Sequence, residues 1–248
     1  MEDKPLTIVE HLDELKKRVI YCLIAVALAS IGAYLFINDI LQFVVKVGRI
    51  KNLVFINPTE AFFVMIKLSL LVGIVAAMPF ILYQIWMYVS VALKKEERKY
   101  LIFFGPVSYI LFLIGAAFAF RGVLPLGMRF LLSFSKENIK PMITLNAYVS
   151  FLGKMIAAFG LMFELPLVVL FLSKIGIVTP EIMKKGRRYA IFGIFVIAAI
   201  LTPPDVVSQV MLAVPMLLLY EISVWISVVV AKKREKELGM EEPVPSNA

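Results

Sequence analysis

What most limits the folds open to this chain is a set of long stretches without a charged side chain. They run from Val19 to Asn38, Leu68 to Leu93, Tyr100 to Phe120, Tyr189 to Pro204 and Val206 to Tyr220, and Met155 to Ser173 is interrupted only by Glu164. A bilayer core of about 30 Å takes about 20 apolar residues of helix, and within it every backbone N–H and C=O has to be satisfied inside the segment. These runs predict an all-α polytopic membrane protein with six transmembrane helices. At 61% hydrophobic and 18% charged residues, the composition excludes an ordinary soluble domain. The expected organisation is one six-helix transmembrane domain over residues 1–231, followed by a polar, disordered cytoplasmic tail over 232–248.

The net charge of +8 does not point to nucleic acid, because the basic residues fall in short segments between apolar runs, where they orient helices. With the amino terminus inside, Lys16, Lys17, Arg18, Lys94, Lys95, Arg98, Lys99, Lys184, Lys185, Arg187, Arg188, Lys232 and Lys233 all lie on the cytoplasmic side. The outer side receives Lys46, Arg49, Lys51, Arg121, Arg129, Lys136 and Lys140. Both termini are therefore expected in the cytoplasm. Two outer loops, residues 39–60 and 121–146, are long enough to build a cap, whereas the third is only the turn LTPPD at Leu201 to Asp205. The fifth span, Tyr189 to Leu201, is 13 residues, about 20 Å of helix, and too short to cross comfortably. The sixth run is interrupted by Pro215 and Glu221, so the segment after Glu221 is expected along the inner interface, with the bilayer thinned at this edge.

A single cysteine, Cys22, and a single histidine, His11, rule out an intramolecular disulfide and the multi-histidine metal motifs. The polar start has no small-residue cleavage site, so no cleaved targeting peptide is expected. With no P-loop, no nucleotide or other cofactor is expected, and an energy source would be an ion gradient or another protein.

The informative polar residues are acids in unexpected places. Thr7 and Glu10 form a capping-box pattern that starts a helix at Ile8 and sets Glu10, Asp13 and Glu14 on one face just before the first apolar run. On one reading Asp13 pairs with Lys17 and Glu14 with Arg18, at i, i+4 spacing. On the other, these acids and the Glu96–Glu97 pair in LKKEERKYL, on the same membrane side, receive a ligand carrying two guanidinium groups. Two such contacts, at about 1.5–3 kcal/mol each, fall short of the 8 kcal/mol of micromolar affinity, so that ligand needs an apolar stretch as well. Glu164 lies near the middle of the fourth span, where an acid costs about 2.5–3.5 kcal/mol and normally faces a cavity, a partner or a proton path. Its bland alternative is a neutral carboxyl bonded to Gln84 or Gln209 of a neighbouring span. Pro79 and Pro166 predict kinks, and a kinked bundle has a concave side.

Taken in order, HLDELKKR at His11 to Arg18, LYQIW at Leu82 to Trp86, FELP at Phe163 to Pro166 and LTPPDVVSQ at Leu201 to Gln209 resemble the TatC family, the polytopic core subunit of the twin-arginine protein translocase. The resemblance covers nearly the whole chain. It implies a cup-shaped membrane scaffold, not an enzyme, that receives twin-arginine signal peptides at the cytoplasmic face for export of folded proteins driven by the proton-motive force. Carried over by position, Glu14 and Glu97 receive the two guanidinium groups, with Arg18, Leu93 and Lys95 in the same patch. Glu164 matches the intramembrane polar residue of the concave face, and Asp205 matches the acid of the periplasmic turn. Lys16 departs from the family's usual arginine and lacks its planar fork. The implied partners are TatA-like and TatB-like single-span proteins, further copies of the chain and the lipid of the cell's inner membrane. A proton-coupled small-molecule transporter with Glu164 as proton carrier is the alternative, and the absence of an internal repeat counts against it.

Overall fold

The structure is a computed structural model, and it describes residues 8–48, 53–91, 101–133, 142–202 and 205–237. They form α1 (Ile8–Leu35), α2 (Ile37–Gly48), a two-residue strand β1 (Leu53–Val54), α3 (Pro58–Val91), α4 (Leu101–Phe118), a π-helical segment (Ala119–Val123), α5 (Leu124–Ser133), β2 (Ile143–Thr144), α6 (Leu145–Lys174), α7 (Pro180–Leu201) and α8 (Val206–Glu237). Among the described residues, five stretches are long and apolar enough to cross a membrane: Val9–Leu35, Pro58–Val91, Phe103–Phe130, Leu145–Lys174 and Val206–Arg234. The remaining long helix, α7, has 22 residues, but Lys184, Lys185, Arg187 and Arg188 occupy its first half. Its apolar part is therefore the short one expected from the sequence. Thr179 caps α7 by accepting from Ile182 N–H at 3.4 Å, and Pro180 follows at a position whose N–H the helix does not need.

The chain packs as two compact units, Met1–Ala157 and Ala158–Ala248, with the boundary inside α6. In the first unit α1 and α3 run antiparallel, and the contact is closest where Gly73 faces the backbone of Ser30. A Cβ at Gly73 would lie 2.7 Å from both Ser30 Cα and Ser30 N. Small residues are what membrane helices use to approach this closely. Where α3 ends and α4 begins, the rings of Trp86 and Phe104 stack at 5.4 Å. At the other end of these helices α2, the π-segment, α5 and the start of α6 close over a core that includes Val64, Leu68, Leu124, Met128, Val149 and Leu152. Within that core the hydroxyl of Tyr148 donates to the Val44 carbonyl at 2.8 Å. The strands pair in parallel, Leu53 with Ile143 and Val54 with Thr144, tying both loops of the cap together.

In the second unit α7 and α8 form a hairpin around the buried Ile194, Ala198, Leu212, Ala213 and Met216. Pro79, Pro106, Pro166 and Pro215 all sit inside helices that continue past them. One expectation is corrected here: α8 is a single helix of 32 residues and does not break at Pro215 or Glu221. The reason is local. A proline removes one ladder hydrogen bond, and the Glu221 carboxylate accepts from Arg187 Nη2 at 2.8 Å on the exposed side of the hairpin, where a charge does not interrupt a helix. The helix also extends past residue 231 to Glu237.

Candidate functional site

Glu14 and Arg18 stand one turn apart on α1. Arg18 donates to Glu14 Oε1 through Nε at 3.0 Å and Nη2 at 2.5 Å, while its Nη1 donates to Gln84 Oε1 on α3 at 2.8 Å. The planar guanidinium thus uses one edge within its helix and the other between helices, which a lysine ammonium has no geometry to do. Both charged side chains are largely covered, with 25% of Glu14 and 17% of Arg18 exposed. One turn earlier the His11 ring stacks on Tyr88 at 4.5 Å, a second bond between the same two helices. Asp13 and Lys17, the other pair suggested by spacing, are both exposed.

The intrahelical pairing of Glu14 is therefore real, and it does not exhaust the carboxylate. Both bonds from Arg18 to Glu14 go to Oε1, and among the described residues Oε2 takes none. On another face of the same stretch of α1, Leu12, Leu15 and Val19 present exposed apolar surface. Leu93, Lys95 and Glu97, with Glu96, lie outside the described residues, as does Thr7 of the capping box.

Glu164 is buried in α6, with 8% of its surface exposed. The two side chains suggested as its partners have other hydrogen bonds. Gln84 accepts from Arg18, and Gln209 donates to the Phe195 carbonyl at 3.0 Å. Asp205 has a local job: its Oδ1 accepts from Ser208 N–H at 2.7 Å, which makes it the N-cap of α8. At the start of α7 the Glu181 carboxyl is held below its usual range, first by the backbone N–H of its own turn and then by the Thr179 hydroxyl. Among the described residues no three His, Cys, Asp or Glu side chains come together as metal ligands.

Sequence reasoning missed a polar clamp at the far end from Glu14. Glu60 accepts from Ile56 N–H at 3.0 Å and from Asn146 N–H at 3.2 Å, so one carboxylate satisfies free N–H groups at the starts of both α3 and α6. Lys67 donates to Asn146 Oδ1 at 2.6 Å and to Ser150 Oγ at 2.9 Å. Only the acid in the first turn of α3 was a readable signal, since its partner on α6 lies 86 positions away and those of Lys67 lie 79 and 83 away.

Spanning-length apolar helices, with charged side chains gathered at their ends and one acid buried within, define a polytopic α-helical membrane protein. Residues 10–215 match the family model described as Sec-independent protein translocase protein (TatC). The chain is 45% identical over 230 residues to the Sec-independent protein translocase protein TatC of Carboxydothermus hydrogenoformans, covering 92% of this chain and 95% of that one. It is 38% identical over 237 residues to the Escherichia coli TatC, covering 93% and 92%. A crystal structure of the twin arginine translocase receptor TatC superposes with a TM-score of 0.82 at 40% identity, covering 89% of this chain and 99% of that one. The chain belongs to the TatC family.

Proposed function

We propose that the chain is the twin-arginine receptor and core scaffold of a Sec-independent translocase, and that Glu14, with Glu97, takes the paired guanidinium groups of the signal peptide. The observation that supports this most is the state of Glu14. Its carboxylate is held by Arg18, Arg18 is held by Gln84, and among the described residues only one of its two oxygens is bonded, on a helix that also carries exposed Leu12, Leu15 and Val19. A preorganised acid next to apolar helix surface suits a ligand that is cationic at one end and hydrophobic beyond it. Arg18 and Lys95 border the patch and Leu93 adds apolar contact. Glu164 is the intramembrane docking point for TatA-like and TatB-like helices. The scaffold sits in the inner membrane with both termini in the cytoplasm, is no enzyme itself, and draws on the proton-motive force through its partners.

The test is photocrosslinking from the arginine positions of a twin-arginine peptide to the membrane-embedded protein. Glu14→Gln and Glu97→Gln should each reduce crosslinking by about tenfold or more, the equivalent of one charge-assisted hydrogen bond. Undiminished crosslinking in the double variant would overturn the assignment. Nothing specific in the structure favours the transporter reading.

A further inference from the structure

At the end of the first unit away from Glu14, two cavities adjoin. The first is a groove of about 380 Å³ with an almost wholly apolar lining that includes Phe43, Leu71, Val75, Leu113, Ala117 and Phe120. The rings of Phe43 and Phe120 stand 5.6 Å apart in that lining. Arg121, which follows Phe120 on the π-segment, and Lys46, about one turn past Phe43 on α2, line the second cavity, of about 520 Å³, together with Arg129 of α5. All three cations are exposed, and none forms an ion pair among the described residues.

The backbone brings these charges together. Pro125 has no N–H to donate, and the turn before it widens into the π-segment, where Leu124 N–H reaches back to the Ala119 carbonyl. Arg121 and Arg129 then stand on either side of Pro125, on the same wall of the cavity. On the orientation proposed above this is the outer side, where lysine and arginine are normally scarce. Three of them lining one cavity next to an apolar groove call for an anionic ligand with a hydrocarbon tail.

We propose that the two cavities form one binding site for an anionic phospholipid of that leaflet. The phosphate and its glycerol occupy the Lys46–Arg121–Arg129 cavity, and an acyl chain lies in the groove past Phe43 and Phe120. Both volumes fall within the roughly 300–1,000 Å³ usual for small-molecule sites.

Native mass spectrometry of the full chain in maltoside micelles tests this, with phosphatidylglycerol, phosphatidylcholine or inorganic phosphate added separately. The wild type should retain phosphatidylglycerol in preference to phosphatidylcholine. The triple variant K46Q/R121Q/R129Q, altered only at exposed positions, should lose that preference by about a hundredfold, the sum of three surface cations acting on an anionic headgroup. A117W, which fills the groove and leaves the charges alone, should weaken retention of both lipids. Equal retention of the two lipids by the wild type, an unchanged preference in the triple variant, or displacement of the lipid by millimolar inorganic phosphate would each overturn the proposal. Helicity measured on each variant separates lost binding from lost fold, because retained helicity with unchanged lipid preference also counts against it. The triple variant should still crosslink a twin-arginine peptide normally, so failure of this site and failure of the receptor reading are read separately.

Discussion

Arg18 donates to Gln84 across 66 positions of sequence and 2.8 Å of space, and in doing so it sets the height of α1 against α3 at the end where Glu14 lies. Gln84→Leu removes the acceptor and leaves a partly buried guanidinium with one bonded edge. We expect a loss of about 1–2 kcal/mol, read as a lower melting temperature in detergent, and a weaker grip on a twin-arginine peptide. Arg18→Lys should cost a similar amount, since an ammonium keeps the charge yet reaches only one of the two partners.

The Gly73 crossing makes a sharper prediction because the atoms in the way include the Ser30 backbone as well as its hydroxyl. Gly73→Ala puts a methyl group 2.7 Å from Ser30 Cα and N, so the helices have to separate, at a cost of about 1–3 kcal/mol. Gly32→Ala on α1 meets nothing within 4 Å and should be neutral, or stabilising by a few tenths of a kcal/mol through helix propensity. Parallel thermal melts of the two variants check the contrast.

In the cap, a Cβ on Gly48 would press on the Tyr148 ring, 2.7 Å from its Cζ, and the hydroxyl is nearer still. Tyr148→Phe alone should cost about 1 kcal/mol, the bond to Val44. Gly48→Ala alone should cost more. In the double variant the missing hydroxyl relieves part of the clash, so the two losses should sum to more than is measured, a coupling that a double-mutant cycle resolves.

Asp205→Ala should destabilise the α7–α8 hairpin by about 1 kcal/mol through loss of the cap, and Asp205→Asn or Asp205→Ser should restore most of it. Transport that fails equally in the alanine and asparagine variants, despite restored stability in the second, would show that the charge matters beyond capping.

Glu164→Leu removes an acid from a buried position in a spanning helix, where its insertion costs about 2.5–3.5 kcal/mol. We expect the purified variant to melt at the same temperature or higher, and export in cells to fall. Full export would make the acid structural.

The spanning helices were legible because lipid forbids charge, and the limits of each apolar run follow the lysines and arginines that flank it. The brevity of the apolar part of α7 was legible for the same reason. What was not legible joins residues far apart in sequence. Gln84 reads as an ordinary polar residue in LYQIW, and nothing in its neighbours says that it meets Arg18. Glu221 looked like a break in its helix because the sequence does not show Arg187 waiting across the hairpin. Asp205 was read as the acid of a turn, although the DVVS spacing already carried the N-cap pattern that the structure realises. Glu14 was legible as an ion-pair partner, because its partner stands one turn away on the same helix.

Most of the surface of α1 faces away from the other helices. Only 6% of its apolar window is buried against the rest of the chain, while its mean hydropathy there is 1.9. A helix this apolar and this little covered has acyl chains for its main neighbours, and it meets protein along one seam, where His11, Arg18 and Ser30 touch α3. Lipid packing is therefore part of what holds the helix that carries Glu14 upright.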